Sequence, residues 1–235
     1  MSVKISVCAT TYNEGKNIEK SLDSVLKINP DEIVITDNES SDDTIEKIFK
    51  YKEKTGSLKI ISQKCTRGTG RNISIQHAQN EYCLVLDLDN FYIFNKINFD
   101  KLAKKAKNNL IVISDKAYRT VYFIFGKREL FLRYPYKDMN TFEDFTFFRN
   151  APVKWYWIKN LGVDLDQERN NLKRNKITRL KNTIIAFSIY YTYGFTFKDI
   201  IDIIFKKKSL KYIGFDLIFL FTYKFINFIN REILK

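Results

Sequence analysis

Over its first 90 residues the chain alternates short apolar, β-branched runs with segments of helical period, and this limits the fold more than any other feature. Residues 3–9, 32–36, 58–62 and 82–86 read as strands. Between them, 17–26 places Ile18, Leu22, Val25 and Leu26 at helical spacing. Asp42 and Asp43 open a helix to about Lys54, as first-turn acids should. Gly68, Thr69 and Gly70 lead into a helix ending near Gln79. Such alternation predicts an α/β domain with a parallel sheet and right-handed crossovers. Ligands of these sheets gather at the carboxyl ends of the strands. The polar clusters 10–14, 37–41, 64–71 and 87–90 each follow a strand end, so they are expected to converge on one rim.

Beyond Asn90 the pattern loosens. Helices are expected over 99–107, 127–133 and 142–150, the last with Glu143 and Asp144 at its start. Strands are expected over 110–114, 120–125 and 153–158, and no internal repeat is evident. The polar, basic stretch 170–181 marks a boundary, giving a first domain over 1–170 and an extension over 171–235.

Composition narrows the function classes. With 45% hydrophobic and 29% charged residues among 235, the chain has the apolar surface that disordered proteins lack. Three separated cysteines and a single histidine argue against a disulfide framework and a Cys/His zinc site. Met1 runs straight into a strand-like segment with no secretory pattern, so a reducing cytoplasm is the expected compartment.

The formal charge is +13, and the extension holds 13 of the 40 basic residues but 4 of the 27 acidic ones. It also holds the uncharged runs 182–197 and 217–223, separated by Lys206-Lys207-Lys208. Neither run reaches the ~20 apolar residues that span a bilayer. Basic clusters beside aromatic segments suit helices lying in a membrane interface, which makes peripheral contact through 182–231 the favoured expectation. Packing of these helices on the first domain is the other reading. No nucleic-acid-binding motif accompanies the charge.

Asp87-Leu88-Asp89 is the sharpest motif: two carboxylates two residues apart at a strand end point to one side of an extended chain. Hard oxygen ligands of this kind suit Mn²⁺ or Mg²⁺ carrying a diphosphate. Asp37, at the tip of the second strand, can accept from the N–H edge of a nucleobase; Asp42 and Asp43 read as helix caps. Gly68 and Gly70 would let backbone approach a ligand, and Arg71 would pair with phosphate or base oxygens.

In order and spacing these motifs resemble family 2 glycosyltransferases of the GT-A fold. The resemblance rests on Ile5 through Glu14, Asp37 through Thr44, Gly70-Arg71-Asn72, Tyr82 through Asp89, and Phe142-Glu143-Asp144 with Arg149, and covers about residues 3–150. It implies a Rossmann-like, mostly parallel sheet flanked by helices, with 171–235 as a helical, basic, aromatic-rich extension. It implies inverting transfer of a sugar from a nucleotide-diphosphate donor, UDP ahead of GDP. The acceptor would be a glycan, a lipid-linked sugar or a polyprenyl phosphate at the cytoplasmic membrane face. Thr11, Asn13, Glu14, Asp37, Arg71 and Asp87 would hold the nucleotide sugar; Asp89, with Asp87, would ligate Mn²⁺ or Mg²⁺. Asp144 would be the general base, with Glu143 the alternative. A carboxylate near its ordinary pKa is ionised at neutral pH and can take that role. Two departures stand out: Glu39 replaces a usual glycine, and Asn90 a frequent third acid.

Two rival functions are weighed. A nucleotidyltransferase of similar fold would want a Gly-rich basic loop after the first strand, which 10–14 does not supply. A non-catalytic nucleotide-sugar-binding relative would be expected to have lost its acids, yet Asp37, Asp87, Asp89 and Asp144 are all present. His77, Cys8 and Cys83 are expected to be structural, and Trp155 and Trp157 either pack or stack on an acceptor sugar.

Overall fold

The computed structural model describes residues 2–55, 57–94, 97–114, 121–140, 143–157 and 162–164. The extension 171–235, with the proposed membrane segment 182–231 and the boundary near 170, lies outside them.

The strands are β1 (Ile5–Thr11), β2 (Glu32–Asp37), β3 (Leu58–Ser62), β4 (Tyr82–Asp87), β5 (Asn90–Tyr92), β6 (Leu110–Ser114), β7 (Val121–Lys127), β8 (Val153–Trp157) and β9 (Gly162–Asp164). The helices are α1 (Ile18–Leu26), α2 (Thr44–Phe49), α3 (Arg67–His77), α4 (Phe99–Ala106), α5 (Arg128–Arg133) and α6 (Glu143–Asn150). Seven strands form one sheet in the order β3-β2-β1-β4-β7-β6-β8, and β5 pairs with β9 in a separate two-stranded sheet. All neighbours in the large sheet are parallel except at β7, which runs antiparallel to β4 and β6.

The sheet is buried on both faces, which is why its strands read as continuous apolar runs. On one face, Ile18, Leu22 and Val25 of α1, Ile48 of α2 and Leu102 and Ala106 of α4 pack on Val7, Ile33, Leu84, Ile111 and Phe123. On the other, Ile75 of α3, Phe131 of α5 and Phe147 of α6 pack on Cys8, Val34, Cys83, Val112 and Ile124. Cys8 and Cys83 are small buried apolar groups, as expected.

The sequence expectation of one helix from Asp42 to Lys54 is corrected. Helix α2 stops at Phe49 and a 3₁₀ turn follows over Lys52–Lys54. The break lets Tyr51 bury its ring while its hydroxyl donates to Glu19 O at 3.0 Å and Asp23 Oδ1 at 2.9 Å. The short strands β5 and β9 escaped sequence reading, because three residues carry too little periodicity to register.

Strand order reverses about β1, with β2 on one side and β4 on the other. A switch point of this kind opens a crevice at the strand ends. Register places Thr11 opposite Asp37 and Thr10 opposite Asp87. Three of the four polar clusters therefore meet by backbone pairing alone.

Candidate active site

Asp37 is fully buried at the tip of β2. Its carboxylate accepts from the Ser40 backbone N–H at 2.8 Å and from the Ser40 hydroxyl. That hydroxyl in turn accepts from the Asn13 N–H at 2.8 Å, and Asn13 Oδ1 accepts from the Ser41 N–H at 2.9 Å. The loops after β1 and β2 are thus stitched into one cradle. Asn13 and Glu39 have left-handed backbone, φ 53° and 55°. Asn tolerates that region, whereas Glu39 adopts it where glycine would be unstrained. Beside this turn, Thr11 Oγ1 is buried without a hydrogen-bond partner. Glu14 turns the chain toward α1, its carbonyl accepting from the N–H groups of Asn17 and Ile18 at 2.8 Å. Tyr12, given no role by sequence reading, leaves 55% of its surface exposed at the strand tip. An aromatic residue inside a polar strand-end cluster was the available signal.

The capping assignment needs refinement. Asp43, the N-cap residue of α2, makes no capping bond and pairs with Lys47 at 2.9 Å. Asp42 does the capping instead: Oδ1 accepts from the Thr44 N–H at 3.1 Å and Oδ2 from the Gly15 N–H at 3.0 Å.

The D-x-D geometry also differs from the expectation of an extended chain. Strand β4 ends at Asp87, and Leu88 and Asp89 form a turn. Leu88 sinks into the core, and the buried Tyr92 donates its hydroxyl to the Asp87 carbonyl at 2.7 Å, which holds the turn. Asp89 stands in that turn, with the Asn90 amide donating to its Oδ1.

The centre of the site is Arg71, which is 4% exposed. Its Nη2 donates to both Asp87 oxygens, at 2.8 and 3.1 Å. Its Nη1 donates to Glu143 Oε1 and Asp144 Oδ1, each at 2.8 Å. The Tyr136 ring lies 5.3 Å from the guanidinium carbon. Arg71 therefore faces three carboxylates. Burial acts to lower its pKa, but Asp87 and Asp144 outweigh that and hold it well above the ordinary value. For Asp87, burial pushes upward and Arg71, with Arg67, wins, so its carboxyl sits below the usual range.

Glu143 and Asp144 differ sharply in setting. The Glu143 side chain is 3% exposed and also lies 3.8 Å from Arg67. The Asp144 side chain is 31% exposed at the mouth of a cleft lined by Asp87, Tyr122 and Tyr136. Burial, only partly offset by Arg71 and reinforced by the charges of Asp87 and Glu143, raises the Asp144 pKa to about 6. This corrects the expectation of a near-ordinary carboxylate.

The glycines of α3 serve packing within the protein. A side chain at Gly68 would collide with the Lys137 carbonyl oxygen, and one at Gly70 would meet Thr10 Oγ1 at 2.5 Å. Helix α3 is thereby seated against β1 and against the segment 136–140. His77 is structural, its Nδ1 2.9 Å from the Ile73 carbonyl. Trp155 sits edge-on to Phe148 at 4.9 Å and remains 38% exposed.

No helix among the described residues is long and apolar enough to cross a membrane. Comparison with known proteins agrees with the geometry. Over 110 residues the chain is 27% identical to the UDP-Glc:alpha-D-GlcNAc-diphosphoundecaprenol beta-1,3-glucosyltransferase WfgD of Escherichia coli, a match covering 45% of this chain and 42% of that one. Over 96 residues it is 38% identical to the SPbeta prophage-derived glycosyltransferase SunS of Bacillus subtilis, covering 41% and 22%. The matched segment thus spans less than half of either relative. The mannosyltransferase PcManGT of Pyrobaculum calidifontis, solved with GDP-Man and Mn²⁺, superimposes with a TM-score of 0.61 at 17% identity over 88% of this chain and 69% of that one. At that identity the likeness establishes a shared GT-A fold. The sequence profile of Glycosyl transferase family 2 matches residues 6–158, and the chain belongs to that family.

Proposed function

We propose that the protein transfers a sugar from a nucleotide-diphosphate donor, UDP ahead of GDP, to a hydroxyl of a glycan or lipid-linked acceptor, with inversion at the anomeric carbon. The observation that carries this reading is the meeting of Asp87, Glu143 and Asp144 on one buried guanidinium at the sheet's switch point, beside the Thr11, Asn13 and Asp37 cradle. The donor and lipid-linked acceptor named for the Escherichia coli relative, and the GDP-Man of the structural neighbour, support the same substrate classes. Segment 182–231 would bring the protein to an acceptor held at the cytoplasmic membrane face.

In this reading Asp37 accepts from the base, Tyr12 offers its exposed ring for stacking, and Thr11 contributes its unspent hydroxyl. Asp87 and Asp89 fit a hard cation, Mn²⁺ or Mg²⁺, held by one or two carboxylates together with the donor's phosphates. Asp89 is the better ligand of the two, since both Asp87 oxygens already accept from Arg71. A bound cation would offset the charge that grows on the departing diphosphate. The acceptor oxygen forms its bond to the anomeric carbon as the bond to the diphosphate breaks, and the hydroxyl proton passes to Asp144. Partial exposure favours Asp144 over the buried Glu143 for this step. Glu143 serves to hold Arg71.

The nucleotide half of the proposal is tested by calorimetric titration of UDP and GDP with and without Mn²⁺, beside Asp89→Ala. UDP binding should tighten at least tenfold with Mn²⁺ in the wild type and lose that gain in the variant. Binding indifferent to the metal would contradict the role of Asp89.

The base has a pH signature. Asp144 is raised to about 6, so it is ionised above that pH and protonated below it. The acid limb of kcat/KM should bend near pH 6 and fall about tenfold per unit further down, because kcat/KM reports the free enzyme's essential base. A limb bending near pH 4 would place the proton elsewhere.

A further inference from the structure

Segment 136–140, which leads toward α6, is fastened to the first turns of α3. Asn72 Nδ2 donates to the Tyr136 carbonyl at 2.8 Å, and the Tyr136 N–H donates back to Asn72 Oδ1 at 2.9 Å. Asp138 Oδ1 accepts from the hydroxyls of Thr66 at 2.6 Å and Thr69 at 2.8 Å. The Arg67 N–H donates to Asn140 Oδ1 at 2.9 Å, and the Gly68 N–H to the Met139 carbonyl at 3.1 Å.

Of these contacts, that of Asn72 reaches the reacting group most directly. It grips Tyr136 at both backbone polar atoms. The Tyr136 ring covers Arg71 on one side and stacks on Phe147 of α6, with centroids 4.2 Å apart and planes 9° from parallel. Asp144 sits in the first turn of that helix and bonds Arg71. Arg71 and Asn72 are neighbours on α3, so a single turn holds the guanidinium and the clamp together.

We propose that Asn72 is a positioning residue for Asp144: its side-chain amide clamps the Tyr136 backbone, and through the Tyr136 ring it fixes both Arg71 and the start of α6. This rests on the reading of Asp144 as the general base. The Asn72 amide answers both the donor and the acceptor that the Tyr136 backbone presents. A carboxylate would answer the N–H alone.

The test uses the full chain, comparing the wild type with Asn72→Ala, Asn72→Asp and, as a control on the exposed side of α3, Gln76→Ala. Nucleotide diphosphate release gives kcat and the donor KM; titration gives the affinity for UDP with Mn²⁺. Asn72→Ala and Asn72→Asp should lower kcat about 10–100-fold, the range that displacement of a reacting group by an ångström produces. Donor KM and UDP affinity should stay within about threefold. Gln76→Ala should stay within about threefold of the wild type.

Hydrogen exchange provides a reading that needs no turnover: Asn72→Ala should speed exchange in 143–150 and leave β1 and β4 protected. Wild-type kcat in both Asn72 variants would overturn the proposal. So would an equal loss of kcat and UDP affinity, which marks general structural damage, or unchanged exchange in 143–150. A wild type that neither binds UDP nor releases nucleotide would instead overturn the functional reading beneath it, while exchange would still report on the clamp.

Discussion

Replacing Arg71 with methionine is expected to cost about 3–5 kcal/mol of stability, the range found when one partner of a buried ion pair is removed. Methionine matches the length of the arginine stem but supplies no charge. Asp87, Glu143 and Asp144 would then face one another at the end of the sheet without their shared donor. Asp87 and Asp144 are about one-third exposed and can turn toward water, but Glu143 is 3% exposed and cannot. The loss should therefore fall mainly on the Glu143 contact. Adding Glu143→Gln to Arg71→Met should recover part of it, a coupling visible in a double-mutant cycle. For a domain of this size the single substitution should lower the melting temperature by roughly 6–20 °C. Thermal unfolding of the four proteins measures this directly. A melting temperature unchanged in Arg71→Met would mean that the three carboxylates do not depend on the guanidinium.

Asp144→Asn should have the largest effect on turnover. The amide oxygen can still accept from Arg71 Nη1, so the geometry around α6 is kept while the proton acceptor is removed. Loss of a positioned general base lowers transfer to a hydroxyl acceptor by about 10²–10⁴-fold. Donor affinity should be little changed. The effect separates acceptor classes: an acceptor that is already a phosphate anion needs no base, so its transfer should survive the substitution. Rates for a sugar and for a lipid phosphate acceptor, taken side by side, decide the matter. Equal loss with both would show that Asp144 does something other than remove a proton. Glu143→Gln should lose activity together with stability, whereas Asp144→Asn should lose activity alone.

Much of this was legible in the sequence because it depends on local pattern. Strands β1, β2 and β4 carry apolar runs buried in the sheet, and their tips carry the polar residues. Parallel register then brings Thr11, Asp37 and Asp87 together with no further information. What the sequence hid was set by contacts distant along the chain. The role of Arg71 in holding three carboxylates was hidden, because its 72- and 73-residue reach to Glu143 and Asp144 has no sequence signature. The Asp144 pKa depends on burial in a cleft that no local window describes. Asp89 was expected on an extended chain, but the chain turns at 88–89, with Leu88 buried in the core. Gly68 and Gly70 were taken for ligand contacts because a glycine that admits a substrate and one that admits a neighbouring backbone look alike in sequence.

The proposed cleavage of a nucleotide-diphosphate sugar at this site needs a divalent cation held by the Asp89 carboxylate. It is tested most directly by nucleotide diphosphate release. Purified protein would meet a panel of UDP- and GDP-sugars with Mn²⁺, Mg²⁺ or EDTA, beside Asp89→Ala. Slow release is expected from one donor, supported by Mn²⁺ or Mg²⁺, abolished by EDTA and reduced at least 100-fold in the variant. Release that persists in EDTA and in Asp89→Ala, or none from any donor in a protein that does not bind the nucleotides, would contradict it.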